Sequence, residues 1–186
     1  MPKAKPKREL SRLELAVLGL VSKGAPCTAY WIRRQFQASP SSFFSGSAGA
    51  VYPAVKRLEE RSLVKASARS EGRRNSQAYR LTAKGKAALE SWLTPPLPAE
   101  DVAFTMDPIR TRVYYLEALS PEERRRFVEE ALAQAKRRVV VVEAESEERR
   151  LSGDRFSYLG GLGVVHEARS RVRWLAQLRR ALDAPN

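Results

Sequence analysis

The stretch Ser47-Ala48-Gly49-Ala50-Val51-Tyr52-Pro53-Ala54-Val55-Lys56-Arg57-Leu58-Glu59-Glu60 decides how the rest of the chain is read. Val51, Val55 and Leu58 advance by four and three residues, the spacing that gathers side chains on one face of an α-helix, and Ser47 is of a type favoured at a helix N-cap. The opening turn, Ser47 to Ala50, carries only short side chains, so its backbone can come close to another molecule. Tyr52 and Lys56 stand one turn apart, offering a hydroxyl and an ammonium on the same side. Pro53 is out of place in a helix interior, because it forfeits one backbone hydrogen bond.

On the N-terminal side, Leu13, Val17, Leu18 and Leu20 follow helical spacing from Leu10. Ser11 is the expected N-cap, and Glu14 three residues on completes a capping box. Gly24 and Pro26 stop this helix. A second short amphipathic helix, Thr28 to Phe36, sets Trp31, Ile32 and Phe36 against Arg33 and Arg34, and a Ser-rich loop, Ala38 to Gly46, leads to the deciding stretch. On the C-terminal side, Leu63 to Ala68 and Gln77 to Thr82 alternate apolar and polar residues as two strands do, joined by Arg69 to Ser76. This predicts a hairpin with a basic tip. A further helix is expected from Thr82, with Leu89, Trp92 and Leu93 facing inward. Three helices followed by a strand pair is the order of a winged helix-turn-helix, whose third helix lies in the DNA major groove while the hairpin reaches the neighbouring backbone.

Charge points to the same partner. The chain has 186 residues with 34 Lys and Arg against 21 Asp and Glu, a formal charge of +13. Residues 1 to 97 hold 18 of the cations and 6 of the anions, whereas residues 98 to 186 hold 16 and 15. Almost all the positive excess therefore precedes the Pro-rich stretch Thr94 to Pro98, which reads as a linker. An N-terminal half that meets a polyanion and a C-terminal half that associates with itself is the simplest division of labour.

The same composition excludes other classes. One Cys and one His rule out an intrachain disulfide and a Cys/His zinc site, and leave nucleophilic catalysis to His166 alone. His166 and Cys27 read as ordinary helix and packing residues, and the cluster Glu143, Glu145, Glu147 and Glu148 as a solvated face. No glycine-rich phosphate loop, nucleophile elbow or paired-carboxylate motif occurs, so the chain is read as no enzyme and without a cofactor. No apolar run approaches the roughly 18 residues of a membrane span, and the basic opening MPKAKPKREL lacks the apolar core of a secretory signal. A cytoplasmic protein with no membrane partner is expected.

Beyond the linker, Asp107 and Pro108 open a helix with Ile109, Val113, Leu116 and Leu119 on one face. Ser120-Pro121-Glu122-Glu123 restarts the chain with a second capping box. Val128, Leu132, Ala135, Val139 and Val142 then advance by 4, 3, 4 and 3, the seam of a coiled coil. A last helix from about Arg155, after the break Ser152-Gly153-Asp154, presents Tyr158, Leu162, Val165, Ala168, Val172, Leu175 and Leu182. The two stripes could close on each other within one chain. Pairing with the same helices of a second copy would bury both stripes and relate two winged domains by a two-fold axis, and that is the expectation.

Gly49 to Glu60, then Leu63-Val64, then Ala78-Tyr79-Arg80-Leu81-Thr82-Ala83-Lys84-Gly85, resemble the recognition helix and wing of PadR-family transcriptional regulators, with the Tyr52-Pro53 pair as the distinctive mark. Ser62 departs from the pattern, standing where the family usually has Gly. The resemblance implies a mostly α fold with a small β-hairpin wing: a basic arm (1–9), a winged helix-turn-helix (10–93), a linker (94–106) and a long-helix dimerisation domain (107–186). It implies double-stranded DNA as partner, read by Ser47, Gly49, Ala50, Tyr52, Lys56, Arg57, Arg73 and Arg74. Tyr158 to Leu182, with Trp174, looks similar to the C-terminal domain by which longer members wrap a second subunit. The homodimer would be held by Val128, Leu132, Val139, Val142, Leu162, Val165, Val172 and Leu175. A repressor of an inverted-repeat operator, answering to an unidentified small-molecule effector, is the function implied. The competing class is a basic architectural or RNA-binding protein that uses charge without reading sequence.

Overall fold

The computed structural model describes residues 9–39, 46–71, 74–102 and 107–183. The Ser-rich loop, the centre of the hairpin tip and the basic arm before Glu9 lie outside these. The chain divides into two compact units, Met1–Leu97 and Pro98–Asn186.

In the first unit, α1 (Arg12–Gly24) starts with the expected box: Ser11 Oγ accepts from Glu14 N at 3.3 Å and Glu14 Oε2 accepts from Ser11 N at 2.8 Å. It ends against a side chain. A Cβ at Gly24 would stand 2.6 Å from Trp31 Cζ3, so only glycine lets the Trp31 indole lie across the end of α1. Before α2 (Ala29–Gln37), Cys27 and Thr28 form a two-residue strand, β1, that no periodicity announced, and Thr28 Oγ1 then caps α2 at Trp31 N, 3.1 Å. α3 runs from Ala48 to Glu60. Strand β2 (Val64–Glu71) and strand β3 (Arg74–Leu81) follow, and the sheet order is β1-β3-β2, antiparallel throughout.

The hairpin differs from expectation. Its ladder continues through Arg69↔Ser76, Ser70↔Asn75 and Glu71↔Arg74, so most of the supposed tip is strand, and only Gly72 and Arg73 remain between the two strands. Polar residues on a projecting ribbon have no core to alternate against, which is why the stretch reads as loop in sequence.

Val17, Leu18, Val21, Ile32, Val51, Val55, Leu58, Leu63 and Leu89 close one continuous core. α4 (Ala83–Leu93) contributes Leu89 to it, but Trp92 and Leu93 are 40% and 63% exposed, not inward as expected. They lie at the last turn of α4, past the reach of that core.

The end of α3 is a compact piece of backbone chemistry. Leu63 N donates to Leu58 O and Ser62 N to Glu59 O, both at 2.8 Å, the paired bonds of a Schellman stop, with Ser62 in the left-handed region at φ +58°. Leu58 and Leu63, the apolar pair that accompanies such a stop, are both buried. α4 is laid directly on this turn. Thr82 N donates to Leu63 O at 3.1 Å, Thr82 Oγ1 accepts from Gly85 N at 3.0 Å, and Lys84 Nζ donates to Arg61 O. A Cβ on Gly85 would overlap the Leu63 carbonyl outright. The Thr-Ala-Lys-Gly run is thus the complement of the Ser62-Leu63 turn.

In the second unit, Asp107 caps α6 (Pro108–Val113) by accepting from Ile109 N and Arg110 N, and it is tied to Arg171 at 2.6 Å. Burial raises the Asp107 carboxyl, but the Arg171 guanidinium and the two capping N–H groups outweigh it and hold the group below the ordinary carboxylate range. A short helix, α5 (Ala99–Val102), precedes α6, and a 3-10 turn, Leu116–Ala118, follows it. Arg124 closes that turn, its Nε and Nη2 donating to Leu116 O and Glu117 O at 2.9 Å each. α7 (Pro121–Leu151) carries the second capping box and, at 31 residues, spans about 46 Å. α8 (Arg155–Asp183) returns after Gly153, whose φ of +76° turns the chain.

α7 and α8 pack on each other, so that the two stripes meet within one chain, the first of the two arrangements the spacing allows. Val128, Leu132, Ala135 and Val142 of α7, with Val165 and Leu175 of α8, are already buried within one chain, and Val139, Leu162 and Val172 are half-buried. Ala131, Leu132, Ala135 and Leu175 form the centre, with Val172 and Trp174 packed around them. Across the pair Arg169 donates to Glu143 at 2.8 Å and Arg125 pairs with Asp183 at 3.3 Å. Of the three glycines of α8, Gly161 is buried and a Cβ there would stand 3.6 Å from Ser146 Oγ, an ordinary contact, whereas a Cβ at Gly160 or Gly163 would meet nothing within 4 Å.

The Ser62 turn yields two opposite expectations. Ser62→Gly removes the penalty of a left-handed L-residue and should stabilise the first unit by about 1 kcal/mol. Gly85→Ala should destabilise it by several times that, because the obstacle is backbone. Urea denaturation of the full chain, followed at the tryptophans, measures both.

Candidate nucleic-acid interface

The helix α3 sorts its residues cleanly. Val51, Ala54, Val55 and Leu58 face the core, while Ser47, Ala48, Gly49, Tyr52, Pro53, Lys56 and Glu60 are exposed and Ala50 is half-buried. Ser47 stands at the N-cap, with its carbonyl accepting from Ala50 N and Val51 N at 3.2 and 3.1 Å. A Cβ at Gly49 would meet nothing within 4 Å, so the interior does not require glycine there. Because Pro53 has no N–H, the Gly49 carbonyl four residues earlier gets no bond from it. The outer side of this turn is small and exposed. Lys56 reaches Glu60 at 3.9 Å, an exposed pair worth a few tenths of a kcal/mol, roughly 0.3 to 0.5, that competes weakly for its ammonium.

Arg57 does something the sequence reading did not assign. Its Nε donates to Glu14 Oε1 at 2.7 Å, and Glu14 is 1% exposed. Glu14 therefore serves two functions at once, capping α1 and anchoring α3 across 43 residues of sequence. Burial pushes the Glu14 carboxyl up, but the hydrogen bond and charge of Arg57 and the bonds from Ser11 overcome this and leave it below its ordinary value. Arg57, expected on DNA, engages its guanidinium Nε with Glu14 and so holds the helix in place.

On the wing, the register places Glu71 opposite Arg74, and Arg73 lies outside the described residues. Lys65 and Arg80 are directly paired and exposed, two cations that the reading of the hairpin tip overlooked. Their signal was present: each alternates with a residue of the apolar strand face. That face begins in the core with Val64↔Leu81, continues to Ala66↔Tyr79 and ends outside it with Ala68↔Gln77. Alanines opposite Tyr79 and Gln77 leave the floor low, and an open groove of about 790 Å³ results, walled by Tyr30 of α2 and Tyr52 of α3. Tyr79, 7% exposed, donates its hydroxyl to Gln77 Oε1 at 2.9 Å. Burial and then the Glu59 charge push its phenol up, so it remains a donor at neutral pH. Among the described residues no group of three His, Cys, Asp or Glu side chains is placed to hold a metal ion, and no helix is long and apolar enough to cross a membrane.

A helical bundle whose third helix presents a small-residue turn, followed by a basic antiparallel ribbon, defines a winged helix-turn-helix, the architecture of DNA-binding regulators. Residues 17–91, within the first unit, match the Transcriptional regulator PadR-like family. The fold is shared more widely along the chain. It is similar to the Bacillus subtilis PadR crystallised in complex with operator DNA, with a TM-score of 0.82 and 23% identity over 94% of this chain and 99% of that one. A PadR-like transcriptional regulator from Bacillus cereus matches with a TM-score of 0.74, 17% identity and 92% and 98% coverage. The Vibrio cholerae virulence activator AphA matches with 0.69, 19% identity and 92% and 98% coverage. Among curated protein sequences none matches the chain.

The Glu14–Arg57 pair sets a pH-dependent stability. A carboxyl whose folded pKa is depressed contributes stability that is fully present above its ordinary value and is lost as pH falls through the folded one. Arg57→Ala should cost roughly 2 kcal/mol at pH 7, less than the 3 to 5 of a fully buried pair because Arg57 is partly exposed. The gap between variant and wild type should narrow as pH falls below the ordinary carboxylate range and through the depressed folded pKa of Glu14, beyond which the carboxyl is neutral in both. Denaturation midpoints across pH measure this; a gap independent of pH would show that the charge of Glu14 is not what Arg57 answers.

Proposed function

We propose that the chain is a dimeric, sequence-specific regulator of transcription that binds double-stranded DNA, with α3 entering the major groove and the β2–β3 ribbon touching the flanking backbone. The observation that carries this is the division of α3: its core side is sealed, while Ser47, Gly49, Tyr52 and Lys56 stand outward on a turn small enough for close approach. Ala50 at the margin of that turn and Arg74 on the ribbon join them, and Arg73 is assigned to the ribbon's tip. The charge of the first half supplies attraction to phosphates. A similar fold in the Bacillus subtilis PadR bound to operator DNA supports the reading.

The second copy is assigned to the α7–α8 hairpin, on a different surface from the seam. Val140 and Val141 on α7 and Phe156 and Leu159 on α8 are 68%, 47%, 79% and 47% exposed, a set that a lone monomer gains nothing by showing to water. A two-fold pair of such hairpins would present two winged units to an inverted repeat. The Bacillus subtilis relative also has a structure in complex with p-coumaric acid, which supports a small-molecule effector for this chain. Repression in the cytoplasm is the output we assign. One relative of the same fold is a virulence activator, so a promoter fusion with and without the protein reads the sign.

Selection from random duplexes should return an inverted repeat bound at least about a thousandfold more tightly than random DNA at fixed salt. Equal affinity for both would favour an architectural protein. Lys56→Ala should lower the slope of log K against log salt by about 0.9, the loss of one phosphate contact.

Val140→Asp with Phe156→Asp should leave helix content unchanged, give a monomer by light scattering and weaken operator binding by about a hundredfold. A wild-type monomer would overturn the dimer.

A further inference from the structure

The groove between α3 and the ribbon has a feature that the recognition helix does not explain. Its floor is the outward continuation of the sheet's core face, and at its outer end stands Gln77, exposed, with its amide oxygen taken by the buried Tyr79 hydroxyl at 2.9 Å. Tyr79 and Gln77 are two residues apart on one strand and so share a face. Tyr79 is itself fixed by the core and by pairing with Cys27 of β1 and Ala66 of β2. With its oxygen engaged, Gln77 turns a pair of N–H donors outward, and its amide nitrogen has no partner among the described residues. Among the described residues the groove lining contains no carboxylate and no cation. A phosphate oxygen is an acceptor only, and an amide whose own acceptor is already satisfied matches it without charge.

We propose that Gln77 contacts a phosphate of the DNA strand that passes between α3 and the ribbon, and that Tyr79 is a positioning residue which fixes the Gln77 amide with its donors outward. The proposal rests on the DNA-binding reading above, and assigns within it a neutral contact from the strand body of the wing beside the charged ones.

The discriminating property is that a neutral donor strengthens binding without displacing a counterion, whereas a lysine does both. Binding of the full chain to a duplex of about three helical turns, followed by fluorescence anisotropy over a range of salt, separates them. Gln77→Ala should weaken binding about tenfold with the salt slope unchanged, a hydrogen bond to a charged group being of that order. Gln77→Glu should weaken it further, by setting an anion beside a phosphate. Tyr79→Phe, which removes one oxygen and keeps the ring, should weaken binding about threefold in the wild type and not at all in the Gln77→Ala background. Equal losses from Tyr79→Phe in both backgrounds would overturn the positioning role. Unchanged affinity in Gln77→Ala and Gln77→Glu, with Lys56→Ala still lowering the slope, would overturn the contact while leaving the DNA reading intact. Failure of the wild type to bind duplex would overturn both.

Discussion

A buried carboxylate bonded to an arginine, Glu14 to Arg57, sets the rotation of the helix that faces outward. A charge at 1% exposure is tolerated only when its partner and its hydrogen bonds are in place. Glu14 cannot leave, because it also closes the first turn of α1, and Arg57 cannot rotate without abandoning it. Turning α3 by one residue would swing Val51, Val55 and Leu58 out of the core and Tyr52 and Lys56 into it. Apolar burial alone would tolerate small errors of rotation. The ion pair adds direction, since a guanidinium nitrogen must meet a carboxylate oxygen at 2.7 Å.

Close approach between elements is obtained by omitting side chains. Gly24 admits the Trp31 ring, Gly85 admits the Leu63 carbonyl, and Ala66 with Ala68 lowers the sheet beneath Tyr52. Each omission serves a contact between elements far apart in sequence. Ser62 is the converse case. It occupies a left-handed position with an L side chain, and the strain is held by Leu63 and Thr82, whose backbone bonds allow that turn little freedom.

How far these features are legible in sequence follows from how local their causes are. Both capping boxes, Ser11 with Glu14 and Ser120 with Glu123, are three-residue signals and are read directly. The inward face of α3 follows from spacing alone. By contrast, β1 is two residues long and exists only because β3 lies beside it, so nothing in Cys27-Thr28 announces it. The outer rungs of the wing, Arg69↔Ser76 to Glu71↔Arg74, pair polar residues only and so carry no apolar alternation to mark them as strand. Arg57 looked like a surface cation because its partner is 43 positions away and was already accounted for as a cap. Trp92 and Leu93 looked like core because hydrophobicity marks what can be buried, and here the core ends at Leu89.

The heptad seam of α7 exposes a more general limit. A 4-3-4-3 repeat states that a helix needs a partner along one stripe; it contains no term for whose helix that is. The break at Ser152-Gly153-Asp154 is short, and a short connection makes the chain's own next helix the partner at high effective concentration. The seam is consequently closed at home, and the residues that closure leaves outside are the ones the proposed second chain would cover. Val140 and Val141 follow Val139 directly in a run of four valines, more apolar positions than one stripe can use. Phe156 and Leu159 stand at the opening turns of α8, next to the connection. A single winged unit offers DNA few contacts, and each is strongly weakened by salt when it is a cation. In the proposed dimer, doubling the units through the exposed residues of the hairpin would raise affinity without any change in α3, which would leave the outward surface of α3 free to be small.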